Sequence, residues 1–253
     1  MEVHHSHHPT HKKKWSEYLL EFFMLFFAVT LGFFAENKRE EQVETHREKQ
    51  YMQSLYEDLK KDTAVLNAVK NFDNNQVNRI DTAIQVLNNN EWNVSSIKML
   101  YSLNLKNLGN VRLNLNERTS SQLKNAGGMR LIEKQSVSNK ISEYWELTER
   151  IKSNGEVLEE LRIKAREKSY SIFANKYYLN YKDGNVKEDT KLMTTDLYIL
   201  TEYANRINHI KNSISNVRVP LIIKLNEKAK ALLLILKKEY KLNDDANEEV
   251  LTN

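Results

Sequence analysis

The chain has 253 residues, a formal net charge of +4, 40% hydrophobic and 28% charged residues and no cysteine. A modest, mixed charge excludes a dedicated nucleic-acid binder, which would concentrate a basic face. The lack of cysteine excludes disulfides, thiol catalysis and thiolate metal sites.

Residues 1–14 form a His/Lys-rich tail. His4, His5, His7, His8 and His11 are dense enough for weak, geometry-free binding of Zn²⁺, Ni²⁺ or Cu²⁺. A solvated tail, made more basic by partial protonation near pH 6.5, is the simpler expectation. No resident cofactor is expected.

Residues 15–36 read as a transmembrane signal anchor. From Trp15 to Ala35 the chain covers roughly 30 Å as a helix, one hydrocarbon core. No charge occurs between Phe22 and Ala35. Lys12, Lys13, Lys14, Trp15 and Tyr18 suit a membrane interface. Cleavage as a signal peptide is disfavoured, because Phe33-Phe34-Ala35 puts a bulky residue where a small one is wanted. Three lysines before the span, against Lys38 and Arg39 diluted by Glu36, Glu40 and Glu41 after it, place the N-terminus in the cytoplasm.

Glu21 is the anomaly of this stretch. Counting from it by fours and threes reaches Leu25, Ala28, Gly32 and Ala35, a face on which Ala28, Gly32 and Ala35 are small, while phenylalanines crowd the other sides. Small residues let helices approach closely in lipid, and a carboxyl within a span usually faces a partner or water. The face is therefore expected to mediate self-association, with Glu21 hydrogen-bonded across it. The alternative is that Glu21 snorkels to the interface and is merely tolerated.

Residues 37–243 are expected to form an all-α domain. Six glycines and two prolines leave long segments uninterrupted. Asn37–Gln50 is nearly all polar and reads as a solvated stalk, with an apolar stripe starting at Leu66 and continuing through Val69, Val77, Ile80, Ile84 and Leu87. A break near Asn71–Asn75 is possible. A short helix capped by Ser95 or Ser96 is expected to run to Leu103, followed by a loop over Asn104–Asn116. A two-turn helix after Glu117 stops at Gly127-Gly128, read as a helix terminator rather than a phosphate loop. Val137, Ile141, Tyr144, Thr148, Ile151, Leu158, Leu161 and Ala165 mark another long helix with Gly155 on its inner face. Asn180–Thr190 is a turn. The final stripe runs from Leu197 through Leu200, Ala204, Ile207, Ile210, Ile214 and Val217 to Leu221, with Pro220 expected to kink or split it. Ala231–Leu236 is expected to be the most buried turn, and residues 244–253 an acidic disordered tail. These elements predict one N-terminal transmembrane helix continuing into a long helix and an antiparallel helical bundle.

No motif for nucleotide, metal or nucleophilic chemistry is present, so no enzyme activity is expected. His46 and His209 stand alone, and adjacent acids such as Glu57-Asp58 read as solvated faces.

"HHPTHKKKWSEYLLEFFMLFFAVTLGFFAENKREEQVETHREKQYMQSLYEDLKKDT" and "ERTSSQLKNAGGMRLIEKQSVSNKISEYW" together resemble a family of uncharacterised single-pass membrane proteins of Bacteroidota. The resemblance implies a Gram-negative inner-membrane protein with a periplasmic helical domain, and supplies no catalytic residue. Through that lineage the triplets Asp62-Thr63-Ala64 and Asp81-Thr82-Ala83 match a short O-glycosylation acceptor pattern, at Thr63 and Thr82. The expected partners are membrane lipid, a second copy of the chain and other envelope proteins, with no nucleic acid. The expected role is structural or scaffolding. The rival is a single-span subunit of an ion-driven energy-coupling complex that uses Glu21.

Overall fold

The computed structural model describes residues 14–125, 127–180 and 185–242. The histidines of the N-terminal tail, Lys12, Lys13 and the acidic C-terminal tail lie outside them. The described part is all-α apart from one small hairpin. It divides into two compact units, Met1–Gln50 and Tyr51–Asn253.

The first unit is a stretch of helix α1 (Trp15–Asn89). Its apolar residues, from Trp15 through Phe34, are exposed. This segment is long and apolar enough to cross a membrane. Asn37–Gln50 is exposed except for Glu48.

The second unit is built of four limbs that alternate in direction. The first is α1 from Tyr51 onward, without a break at Asn71–Asn75. The second returns through α2 (Val94–Asn107), an extended stretch and α3 (Arg118–Asn125). Along it, Asn107, Asn116 and Thr119 bond successively earlier residues of α1, namely Arg79, Asp62 and Asp58. The third limb is α4 (Gln135–Ser169), parallel to α1, since Tyr144 meets Asp62 and Arg162 meets Gln76. The fourth is α5 (Leu197–Ser213) followed by α6 (Val219–Tyr240). It opposes α4 through the pairs Lys134–Glu239, Lys228–Glu143 and Lys168–Glu202. Between α4 and α5, β1 (Tyr178–Asn180) pairs antiparallel with β2 (Asn185–Val186) around the expected turn.

The caps follow local chemistry. Asn93, rather than Ser95 or Ser96, caps α2 by accepting from Ser96 N–H at 2.9 Å, and the helix runs past Leu103 to Asn107. Gly127 has φ +68°, the left-handed conformation that glycine adopts cheaply after a helix.

Pro220 splits the last limb as expected, but through a π turn over Ile214–Arg218. Proline offers no N–H to the ladder and its ring crowds the preceding turn. Val219 N–H reaches Ile214 C=O, five residues back. The extra residue re-phases the helix, so the buried positions run Ile210, Ile214, Arg218, Ile222 and Leu225. An uninterrupted α-helix would drift about 40° with each spacing of four. The apolar stripe expected at Val217 fails for this reason, Val217 being 42% exposed, whereas Leu221 is half-buried and packs against the core formed by α1, α4 and α6. Leu197, at the first turn of α5, is also exposed. Ala231–Leu236 is an ordinary amphipathic turn, with Leu232 and Leu236 buried and Leu234 73% exposed, not the most buried stretch.

Two apolar cores result. One joins Met52, Leu59 and Leu66 of α1 to Ile141 and Ile151 of α4 and Leu225 to Leu236 of α6. The other joins Ile80 and Leu87 to α2, to Leu158 and Ala165 of α4 and to Ile207 and Ile210 of α5. The first extends further toward the N-terminus than the sequence stripe, through Met52, Leu55, Tyr56 and Leu59.

Candidate functional site

Along α1, Val69 belongs to the first core and Ile80 to the second, and between them lie Asp73 and Gln76. On α4 the matching gap, between Ile151 and Leu158, holds Gly155, with Arg162 reaching Gln76 from one turn beyond Leu158, and on the fourth limb it holds Arg218. Asp73 is 1%, Gln76 0%, Arg162 1% and Arg218 3% exposed. A charged layer therefore separates the two cores.

Its bonds are specific. Arg218 Nε donates to Asp73 Oδ2 at 2.8 Å, and its Nη2 donates to Val111 C=O at 3.1 Å. Gln76 Nε2 donates to the carbonyls of Asn107 and Gly109 at 2.5 and 3.1 Å. Arg162 Nη2 reaches Gln76 Oε1 at 3.4 Å, and its Nη1 lies 3.7 Å from Glu159. Asp73 Oδ1 and Arg162 Nε are buried with no hydrogen-bond partner among the described residues. Charges taken out of water must be paired to be tolerated, and here two guanidiniums share one buried carboxylate. Burial, reinforced by the positive charge of Arg218, pulls the Arg162 guanidinium down to about 10. Burial also pushes the Asp73 carboxyl up, against the opposing pull of Arg218.

The layer opens to one side. A groove of about 560 Å³ runs between Asn110–Asn114 and α4, with Ile151, Gly155 and Arg218 at its base. A Cβ at Gly155 would lie 3.6 Å from Arg218 Nη1, in ordinary van der Waals contact, so Gly155 and that nitrogen are neighbours on the groove wall.

Below it, Asp58 and Asp62 clasp the returning limb. Asp62 accepts from Asn116 N–H and Nδ2, both at 2.8 Å, and from Tyr144 O–H at 2.9 Å. Asp58 accepts from Thr119 O–H. Burial raises the Asp62 carboxyl although these three donors pull it down, and Tyr144 is pushed far up by burial and the neighbouring carboxylate. Asp58 is therefore part of the interior, not of a solvated acidic face.

A third site lies at the other end of the second unit. Tyr101 is fully buried among Phe173, Tyr177 and Tyr178. Its hydroxyl donates to Lys191 C=O and accepts from Ala174 N–H. Tyr203 O–H donates to Asn104 Oδ1 and Asn104 Nδ2 donates to the Tyr178 hydroxyl oxygen, which ties the hairpin to α2 and α5. These aromatics pack edge to face and position the hairpin.

The residues singled out in the first unit are placed as follows. Lys14 precedes α1, and Trp15 and Tyr18 are 82% and 57% exposed. Glu21 is half-exposed, whereas Leu25, Ala28, Gly32 and Ala35 are exposed. Nothing lies within 4 Å of a Cβ built on Gly32. Phe22 stacks on Phe26 and Phe23 on Phe27 along other sides of the helix. Thr63 is half-buried and bonds Lys60 C=O, while Thr82 is exposed and bonds Asn78 C=O. His46 Nε2 sits 3.0 Å from Gln50 Nε2, and His209 is exposed beside Glu202 and Arg206. Among the described residues no three His, Asp or Glu side chains are grouped to hold a metal ion.

No protein-family model, curated protein or solved structure matches this chain.

Proposed function

We propose that the chain is a single-pass inner-membrane scaffolding protein. It self-associates through its N-terminal helix and engages other envelope proteins through its helical domain. The observation that carries the reading is the exposed apolar surface of α1 between Trp15 and Ala35, in a chain whose other long helices bury theirs. An all-round apolar helix is stable only in an apolar surrounding, and lipid supplies it. The lysines ahead of the span put the N-terminus in the cytoplasm and the domain from Tyr51 onward in the periplasm. The resemblance to single-pass proteins of Bacteroidota agrees with this compartment.

Glu21, Leu25, Ala28, Gly32 and Ala35 form the contact face of the span, because small side chains admit a second helix and the carboxyl finds its partner there. The helical domain contributes a stiff support rather than a reaction centre.

Two measurements test the reading. Single cysteines at Ser6 and Ser153 are labelled in intact spheroplasts with a membrane-impermeant thiol reagent. Labelling at Ser153→Cys alone is expected, and labelling at Ser6→Cys alone overturns the orientation. Ala28→Cys or Gly32→Cys should cross-link copies in membranes, and Glu21→Leu should weaken the oligomer. A monomer in mild detergent, with no cross-linking on this face, overturns self-association.

A further inference from the structure

Residues Asn110–Asn116, "NVRLNLN", alternate in sequence and in burial. Val111, Leu113 and Leu115 are half-buried, while Arg112, Asn114 and Asn116 are exposed. That is the two-residue period of a strand lying on a core. Yet among the described residues no strand pairs with it, and no backbone–backbone hydrogen bond involves residues 110–116. Side chains hold it instead, through Arg218 at Val111 C=O and Asp62 at Asn116 N–H. In an extended chain alternate residues send their N–H and C=O to the same edge. The edge on which Val111 meets Arg218 thus also carries both backbone groups of Leu113, which have no backbone partner among the described residues. That edge borders the groove beside α4.

The base of the groove has a charge preference. Arg218 spends Nε on Asp73 and Nη2 on Val111, which leaves Nη1 beside the open position at Gly155. Arg162 belongs to the same buried layer, in which Asp73 is the buried carboxylate among the described residues. Of the groove acids, Glu159 is already engaged by Arg162 and Asn110, and Glu156 stands on the exposed side of α4. Lys152, also on the rim, is held by Glu117 and Glu149.

We propose that this groove is a docking site for an extended peptide segment of a partner protein, which adds as a strand to the Val111–Leu113 edge and places a carboxylate side chain against Arg218. An unpaired strand edge is a template for another peptide backbone. A lipid or glycan has no ladder of alternating donors and acceptors to match it. The inference rests on the scaffolding reading for its biological sense, but the site lies within the second unit and needs no membrane.

The test uses the full chain in mild detergent as bait for a phage-displayed library of random decapeptides. The expected winners alternate β-branched with polar residues and share an acidic position. The best one, made synthetically with a fluorophore, is titrated by anisotropy. Gly155→Leu, which fills the base of the groove, should weaken binding about tenfold or more, as should changing the acid of the peptide to its amide. N-methylation of alternate peptide nitrogens should do the same for one alternation and not the other. Thermal melting of Gly155→Leu at the parent temperature separates a blocked groove from a misfolded domain, and the N-methylated peptides test the parent chain itself. No enriched motif, binding indifferent to both Gly155→Leu and N-methylation, or cross-linking that puts residues 110–116 of a second copy on this edge would each overturn the proposal. Topology labelling is read separately, so the docking site and the membrane orientation can fail independently.

Discussion

Helix α1 runs through two regions that treat apolar residues in opposite ways. Before Gln50, Phe22, Phe26 and Phe33 are 59%, 51% and 69% exposed; after it, Met52, Leu59 and Leu66 are at 0%. Backbone and helix are the same, so the difference lies in how apolar residues are distributed around the axis. Within the first region the stretch Phe22–Ala35 is apolar on every side and has no polar face to give water. The second concentrates Met52, Leu55, Tyr56, Leu59 and Leu66 on one stripe and is finished by α4 and α6. Apolar density marks a segment for an apolar solvent, whereas apolar periodicity marks it for a protein partner.

Breaking the second region alone should have the largest effect. Asp73→Ala leaves two buried guanidiniums without their carboxylate and should cost about 3–5 kcal/mol. Thermal unfolding followed by circular dichroism checks it; a melting temperature within a degree of the parent would show that the layer is solvated. Leu66→Ala should cost about 2–5 kcal/mol by the cavity it leaves. Leu25→Ala, chemically the same deletion in the first region, should leave the melt of the second unchanged. The reverse dissociation comes from Phe27→Arg. A charge at the centre of a span costs about 2.5–3.5 kcal/mol, so this variant should leave the membrane in alkaline carbonate more readily, with the melt of the helical domain intact.

A pH series sharpens the contrast further. Burial holds the Asp62 and Asp73 carboxyls above their ordinary range, so the folded state keeps their protons to higher pH than the unfolded chain does. Between the unfolded value, about 4, and the raised folded ones, the folded state binds more protons. Stability from these two groups therefore falls as pH rises through that window. The melting temperature of Asp62→Asn minus that of the parent should grow more positive across it; a flat difference would place Asp62 in water. Among the substitutions in the second region Gly127→Ala should have the smallest effect, roughly 1 kcal/mol, because alanine is strained in the left-handed backbone that Gly127 occupies.

Much of the helical framework was legible because breakers are rare and stripes are long. Gly127 was readable as a stop and Pro220 as a split. Met52 to Leu59 was missed although its spacing is helical, because the stripe sits among charges in "YMQSLYEDLKKD". The stripe through Val217 failed because the π turn changes phase exactly where the next buried residue is an arginine, which no apolar pattern can mark. The layer of Asp73, Gln76, Arg162 and Arg218 was invisible for the same reason. Its members are polar and up to 145 positions apart in sequence, and only the fold makes them neighbours. The clasp on Asn116 was equally hidden, since Asp58 and Asp62 read locally as solvent-facing acids of a charged helix.

The charged layer also has a kinetic meaning. Apolar contact is what spreads cooperativity from one residue to the next, and here it is interrupted midway along α1, α4 and the last limb. Amide hydrogen exchange should therefore resolve two opening units rather than one, divided near Asp73 on α1, Gly155 on α4 and Arg218 on the last limb. The half built around Ile80, Leu158 and Ile207 could then open and reclose while the half around Leu59, Ile141 and Leu225 keeps its protons.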